Sequence, residues 1–149
     1  MLAAVIAGAS LAPLAPATAA QPQKIELGSD AFVHTAHWEV VSGRADGRFH
    51  GSSLRTFRPG ERATLEFAGT AVRLYGVVGR GGGLGVVSLD GYVAYVVNFY
   101  APNKATHREV YASPPLKPGK HRLTVDVVQP HDRTAKAHYV NLDGAEVSL

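Results

Sequence analysis

The run Gly79–Gly85, "GRGGGLG", could bind a ligand by its composition, because glycine-rich loops cradle phosphates in nucleotide-binding proteins. The dinucleotide pattern G-x-G-x-x-G places its third glycine on Leu84 or Val86, depending on the starting glycine, and therefore fails. The residues after the run alternate like a strand, whereas a phosphate loop opens into a helix. We predict a loop between two strands, in which Arg80 is the long polar side chain and a candidate ligand-binding residue.

Histidines and serines do not form a recognisable metal or hydrolase motif. His34 and His37 are spaced for a helix, and on an extended chain positions three apart point to opposite faces. A nucleophile elbow, G-x-S-x-G, is absent around Ser52 and Ser53, and no residue orients His50 toward either serine. Glycoside cleavage needs two carboxylates brought together across the fold. The carboxylates that qualify by composition are Glu39, Asp46, Glu66 and Asp126. We predict no catalytic residue and no enzymatic activity.

Aromatic side chains are better placed for chemistry with sugars. Sugar rings stack their apolar faces on aromatic rings, and their hydroxyls bond to polar side chains nearby. Tyr75 shares a strand face with Arg73, which predicts an exposed ring, and Tyr100 begins the loop "YAPNKATH". Tyr92 follows a turn and is predicted to be partly buried. Tyr75 and Tyr100 are therefore candidate stacking residues.

The elements that position these residues are predicted to be strands. Apolar and polar residues alternate with a period of two in "RATLEF", "AVRLYGVV" and "HRLTVDVV". The positions predicted to face the core are Ala63, Leu65, Phe67, Val72, Leu74, Val78, Leu123, Val125 and Val127. Asp90-Gly91 and Asp143-Gly144 lie between apolar runs and predict two hairpin turns. About ten short strands at this spacing indicate an all-β fold, an antiparallel β-sandwich.

Composition and the first residues indicate an exported single-domain protein. Residues 1–20 are uncharged and end in small residues, which predicts a signal peptide cleaved after Ala19 or Ala20. Residues 21–149 then form one domain. The chain has no cysteine, whereas small secreted eukaryotic domains carry disulfides, so we predict a bacterial, secreted protein in the periplasm or outside the cell. No second hydrophobic segment follows, which predicts no membrane span.

The charge argues against nucleic acid as a partner. The 149 residues carry a formal net charge of +3, and the Lys and Arg side chains are scattered along the chain. Nucleic-acid-binding surfaces concentrate basic residues and interleave them with aromatic ones. We predict no nucleic-acid partner.

The order of motifs resembles that of a known domain family. Trp38 is followed by "GRFHGSS", "LEFAGTAVRLYG", "VVSLDG", "VVNFY", "LKPGKHRLTVDV" and "HYVNLDGAEV". This order, from Ile25 to Val147, is similar to that of galactose-binding-like jelly-roll domains, which resemble the carbohydrate-binding modules of secreted glycoside hydrolases and esterases. The resemblance implies a ligand on loops at one end or on the concave sheet face.

The same resemblance implies further site residues. A ligand on the loops would meet His131, Asp132 and Arg133, at the tip of "PHDRTAK". Some related modules hold a structural calcium ion, for which this chain offers Asp90 and Asp143. No other cofactor is predicted.

The sequence thus predicts a secreted, non-catalytic carbohydrate-binding protein that stacks a glycan or polysaccharide on tyrosines and bonds its hydroxyls from loops. A second interpretation is a structural protein of the cell envelope that docks another protein. A third is a small esterase or glycosidase that depends on His50 or Ser52.

Overall fold

The computed structural model describes residues 8–15, 23–42, 46–128 and 138–149. Within these ranges the chain forms two short 3₁₀ turns, Ser29–Ala31 and Phe49–Gly51, and eleven strands. The strands are β1 (Lys24–Gly28), β2 (Val33–His34), β3 (Glu39–Ser42), β4 (Ser52–Thr56), β5 (Arg62–Gly69), β6 (Ala71–Val78), β7 (Leu84–Leu89), β8 (Tyr92–Asn98), β9 (Ala105–Ala112), β10 (Gly119–Val128) and β11 (Val140–Ser148). The all-β prediction is confirmed.

Two antiparallel sheets form the sandwich. Sheet A has the strand order β3-β4-β11-β6-β9, and β1 pairs with the second half of β11. Sheet B has the order β2-β5-β10-β7-β8. Sheet A therefore ends in β3 and β1 on one side and β9 on the other, while sheet B ends in β2 and β8. The predicted antiparallel β-sandwich is confirmed.

The core lies between the inner faces of the two sheets. Leu65, Leu74 and Leu123 are 0–1% exposed, as their alternation with polar neighbours predicts. Removing a leucine or phenylalanine side chain from water stabilises the fold by about 1.5–3 kcal/mol, so these faces hold the sheets together. Phe99, just after β8, is the largest fully buried side chain among the described residues. The described part of the chain contains no helix long and apolar enough to cross a bilayer.

The hairpin between β7 and β8 turns at Asp90-Gly91 as predicted. Both residues have positive φ, 51° and 84°, which a type I′ turn requires. The Asp90 carboxylate also accepts a hydrogen bond from the Arg122 N–H at 2.8 Å and lies 2.7 Å from His121 Nδ1. The Arg122 N–H, followed by His121, lowers the pKa of Asp90. Asp90 in turn raises the pKa of His121, with help from the Lys117 carbonyl.

The hairpin predicted at Asp143-Gly144 is wrong. Both residues lie inside β11, where the pairing with β6 shifts register between Leu142 and Gly144. A glycine is needed at position 144 because the backbone of β1 lies very close to it, and a Cβ there would overlap the Leu27 carbonyl oxygen. The glycine thus marks the contact between the first and last strands.

The glycine run forms the predicted loop between β6 and β7, and a strand follows it. Gly82 N–H donates to Gly79 O at 3.0 Å, which closes the turn. A Cβ on Gly82 would overlap the backbone of Phe99, so this glycine lets two chain segments lie side by side.

Candidate ligand-binding site

A cleft of about 260 Å³ opens where the outer strands of the two sheets, β8 and β9, lie next to each other. Two tyrosines line it, Tyr95 from β8 and Tyr100 from the loop after β8, and they are 57% and 54% exposed. Asn98, Arg108 and Glu109 also line it. We call this region, with those five residues, the edge cleft.

The edge cleft exists because sheet B extends beyond sheet A at this side. Tyr95 has the same strand face as Val97, which is 1% exposed, and pairs with the buried Val87. Sheet A ends at β9, so Tyr95 lies on an inner face that is only partly covered. Its ring packs beside that of Tyr111, with centroids 6.3 Å apart. Tyr111 belongs to the core, and burial raises the pKa of its hydroxyl.

Backbone contacts fix Tyr100 at the mouth of the cleft. Its N–H donates to Asn98 Oδ1 at 2.9 Å. The neighbouring Ala101 N–H donates to Gly79 O at 2.9 Å, which joins this loop to the glycine run. Arg80 Nε donates to the Pro102 carbonyl at 2.9 Å. Two predicted site residues, Arg80 and Tyr100, therefore lie in contacting loops, with Arg80 holding the loop that follows Tyr100.

The chemistry of the edge cleft suits a small, polar ring. Tyrosine rings offer flat apolar surfaces, and the Asn98 amide, the Arg108 guanidinium and the Glu109 carboxylate offer donors and acceptors around them. The Glu109 carboxylate lies 3.0 Å from Arg73 Nη1, and the negative charge of Glu109 raises the pKa of Arg73. An apolar surface with a few convergent polar groups is the usual composition of a ligand site.

Tyr75 lies elsewhere, on the outer face of sheet A. Its ring stacks on His107 with centroids 4.3 Å apart and planes 2° apart. His107 stacks in turn on Phe49, at 5.5 Å. Tyr75 is half-buried rather than exposed, because His107 covers one side of its ring. The structure does not bring Tyr75 into the edge cleft.

A buried carboxylate explains the position of this ring stack. Asp143 is fully buried and accepts a hydrogen bond from the Phe49 N–H at 2.7 Å. His107 Nδ1 lies 3.3 Å from the other carboxylate oxygen. A buried carboxylate is stabilised only where hydrogen bonds replace its hydration. Asp143 therefore holds Phe49 and His107 against the outer face of sheet A.

The serine and histidine of the hydrolase alternative are not arranged as a pair. Ser52 Oγ lies 3.3 Å from Ser29 Oγ, and His50 stacks on Phe49 at 4.1 Å. In the described part of the chain, His50 makes no hydrogen bond to Ser52 or Ser53. The carboxylates weighed for glycoside cleavage each lie in an ion pair with a basic side chain. These pairs are Glu39–Arg55, Asp46–Arg48, Glu66–Arg122 and Asp126–Arg62.

The two carboxylates offered for a calcium ion lie in different sheets. Asp90 lies at the β7–β8 turn of sheet B and Asp143 in β11 of sheet A, so the two do not share a site. No group of three metal-ligating side chains occurs among residues 8–15, 23–42, 46–128 and 138–149. His37 instead lies 2.7 Å from a carboxylate oxygen of Glu61. Calcium binding stays a prediction.

Three predicted site residues, His131, Asp132 and Arg133, lie outside the described residues. Sequence reasoning also missed four residues of the edge cleft, Tyr95, Asn98, Arg108 and Glu109. The signal for Tyr95 was the uncharged run "YVAYVV", but only the strand order reveals that this run forms an outer strand.

A comparison with curated proteins finds a relative that matches most of this chain over a small part of its own length. No protein-family model matches the chain. An A type blood alpha-D-galactosamine galactosaminidase from Flavonifractor plautii is 31% identical over 122 residues, which are 81% of this chain and 10% of that protein. The chain thus spans about a tenth of the length of this relative.

Solved structures match the fold over most of the chain. A family 35 carbohydrate-binding module from Clostridium thermocellum superposes with a TM-score of 0.61 at 9% identity, over 83% of this chain and 96% of the module. The fold is the jelly roll of carbohydrate-binding modules. A two-domain esterase active on acetylated mannans matches with a TM-score of 0.62 at 15% identity, over 95% of this chain and 40% of the esterase.

The outer face of sheet B in this jelly roll carries a larger depression, about 880 Å³. Its arginine side chains are paired with carboxylates across the strands. Arg62 contacts Asp126 at 2.6 and 3.0 Å, and Arg122 contacts Glu66 at 3.1 and 2.6 Å. Among the described residues that line it, Phe67 is the one Phe, Tyr or Trp, and it is 7% exposed. Among the described residues, this depression therefore offers no exposed stacking surface.

Proposed function

We propose that the chain is a non-catalytic carbohydrate-binding module that binds a glycan in the edge cleft. The observation that supports this most is the pair of half-exposed rings, Tyr95 and Tyr100, with Asn98, Arg108 and Glu109 around them. A sugar would stack its C–H face on a tyrosine and exchange hydrogen bonds with the polar side chains.

The known proteins support a carbohydrate ligand. A solved neighbour is itself a carbohydrate-binding module, and others belong to enzymes that act on galactans or acetylated mannans. The relative from Flavonifractor plautii acts on the galactosamine of the A blood group. We infer that the ligand is among such sugars and that the chain acts in the bacterial periplasm or outside the cell, after removal of residues 1–20.

A glycan array with the full chain tests this function. The array should include terminal N-acetylgalactosamine, β-1,3-galactan and acetylated mannan. Specific binding to at least one glycan is expected. A blank array with folded protein would overturn the proposal, and recovery of a protein partner would then favour the envelope-docking interpretation.

Calorimetric titration with the best glycan tests the site. Tyr95→Ala and Tyr100→Ala should each weaken binding at least about tenfold, which corresponds to about 1.4 kcal/mol. Phe57→Ala is the matched control, because Phe57 is an aromatic residue, 41% exposed, that does not line the edge cleft. Loss of affinity in Phe57→Ala but not in the tyrosine variants would place the ligand elsewhere. Tyr75→Ala, titrated alongside, tests the predicted role of Tyr75.

A further inference from the structure

The outer strand β8 of sheet B is unusually exposed for an apolar strand. Tyr92, Val93, Tyr95 and Val96 are 81%, 73%, 57% and 54% exposed. The strand "YVAYVVN" contains no charged residue and no proline. One side of it pairs with β7, and no described strand pairs with its other side.

The other four outer strands have the features that prevent strand addition. β1, which pairs only with β11, has five residues and carries Lys24 and Glu26. β2 is only two residues long, and β3 has four residues with Glu39 at its start. β9 is eight residues long, but it has Arg108 and Glu109 at its centre and two register shifts against β6. Short length, charge and bulges are the usual means by which proteins protect sheet edges. β8 has one register shift against β7, at Ala94, but among the described outer strands it alone is long, uncharged and apolar.

An unpaired strand edge presents alternating N–H and C=O groups that fit another extended backbone. The composition of β8 favours a second copy of this chain as the source of that backbone. In a two-fold antiparallel pair, residues near the axis meet their own counterparts, so a charged strand would place like charges together. The strand β8 has no charge to oppose itself.

We propose that β8 pairs with β8 of a second copy, which joins the two five-stranded sheets B into one continuous sheet. Tyr92 and Tyr95 alone expose on the order of 250–300 Å² in each copy. With the valines and the strand backbone, the pair would bury at most roughly 1,000 Å² in total, which is the range of weak, transient interfaces. The dimer is therefore expected to dissociate on dilution. This inference rests on the exposed strand and not on glycan binding, but the pair would cover Tyr95 and Val96 of the edge cleft, so a bound glycan is expected to compete with dimerisation.

Sedimentation velocity of the full chain without glycan tests the proposal. Over about 1 µM to 1 mM, the expected result is a shift from monomer to dimer. Val96→Lys should remain monomeric across this range, because two lysines would meet near the axis. Val40→Lys is the matched control, since Val40 is 67% exposed on β3, and it should dimerise like the parent chain. A parent chain that stays monomeric, or a dimer that Val96→Lys leaves intact, overturns the proposal.

Cysteine cross-linking provides a second measurement that reports the register. The natural chain has no cysteine, so one introduced residue can form only an intermolecular disulfide. Ala94→Cys, Tyr95→Cys and Val96→Cys are compared, because a disulfide needs Cα atoms about 4.4–6.8 Å apart. At least one should cross-link rapidly under mild oxidation, and Val40→Cys should not. Equal, slow cross-linking of all four variants contradicts a paired β8.

Discussion

The two lateral edges of the sandwich differ in what they expose. At the edge formed by β2, β3 and β4, charged side chains contact one another, whereas at the edge formed by β8 and β9, tyrosine rings face solvent. The first side has a pocket of about 360 Å³, in which Arg55 contacts Glu39 at 2.6 Å and lies 5.0 Å from the centroid of Phe57. His37 and Glu61 form a second contact there. The edge cleft has aromatic surface without such cover.

This difference teaches how a ligand site can be recognised on a sandwich of this kind. Side chains that already satisfy one another gain little from a ligand, because binding must first break their contacts. The exposed tyrosine rings of the edge cleft have no such contacts to break on their solvent-facing surface. The side left uncovered by the protein's own residues is the one where a ligand or a second copy gains most.

The largest effect is expected from the core beneath the β8 side. Phe99→Ala should lower the free energy of unfolding by about 3–5 kcal/mol, because a fully buried ring is removed from between the sheets. Urea denaturation measures this loss. Tyr100→Ala, one residue further on and 54% exposed, should change stability by less than about 0.5 kcal/mol. Similar losses in both variants would contradict the division between core and cleft.

Acid should act on the β2/β3 side through Glu61. Hydrogen bonds from the Thr35 hydroxyl and from His37 lower the pKa of Glu61 below its usual 4.5. The ionised form therefore stabilises the folded state above pH 4.5, and this contribution is lost as the pH falls through the lowered value. Melting temperatures measured from pH 6 downward should fall less steeply in Glu61→Gln than in the parent chain. Parallel profiles would show that Glu61 has no such linkage.

The hairpin that begins β8 should respond to alkali as well. The raised pKa of His121 means that its charged form stabilises the hairpin below pH 6.5, and this contribution is lost as the pH rises through the raised value. The pKa of Asp90 is lowered, so its ionised form stabilises the hairpin above pH 3.8, and this contribution is lost only in stronger acid. Hydrogen-exchange protection of the Arg122 amide, which bonds to Asp90, should decline above pH 6.5. His121→Gln should remove that decline, and a decline that persists in the variant would assign it to another group.

The smallest effect is expected at an exposed ion pair. Glu39→Ala removes the partner of Arg55, and both side chains are substantially exposed, at 55% and 31%. Such pairs contribute about 0.2–1 kcal/mol and are weakened by salt. Chemical denaturation in low and high salt should show a small loss that shrinks as salt is added. A loss above about 2 kcal/mol would mean that the pair organises the whole β3 side.

Strand positions could be predicted from the sequence because each strand buries one face. Leu65 and Leu123 alternate with polar residues, and the alternation alone assigns them to the core. Tyr92 was predicted to be partly buried and is 81% exposed, because local alternation does not say which strand is last in a sheet. That order depends on contacts between distant segments, and so does the edge cleft.

The two Asp-Gly pairs show the same limit. Asp90-Gly91 and Asp143-Gly144 have equivalent local sequences, and only the first forms a turn. The second lies in a strand because the β1 backbone approaches Gly144 closely. A dipeptide gives the conformations that a backbone can adopt, whereas the neighbouring strand selects one of them.

The pairing of β1 with β11 has a mechanical consequence. Lys24 lies opposite Ser148, and the Leu149 N–H donates to the Gln23 carbonyl at 2.8 Å. If the two ends of the domain were pulled apart, the force would act on the start of β1 and the end of β11, which lie next to each other. The hydrogen bonds of this antiparallel pair would therefore break one after another from that end. The strand that detaches would be β1, because it pairs only with β11. β11 is also held by β6 and, at its start, by β4. Because β11 and β6 separate β1 from β9, a domain under such tension would give way first at a place remote from the edge cleft.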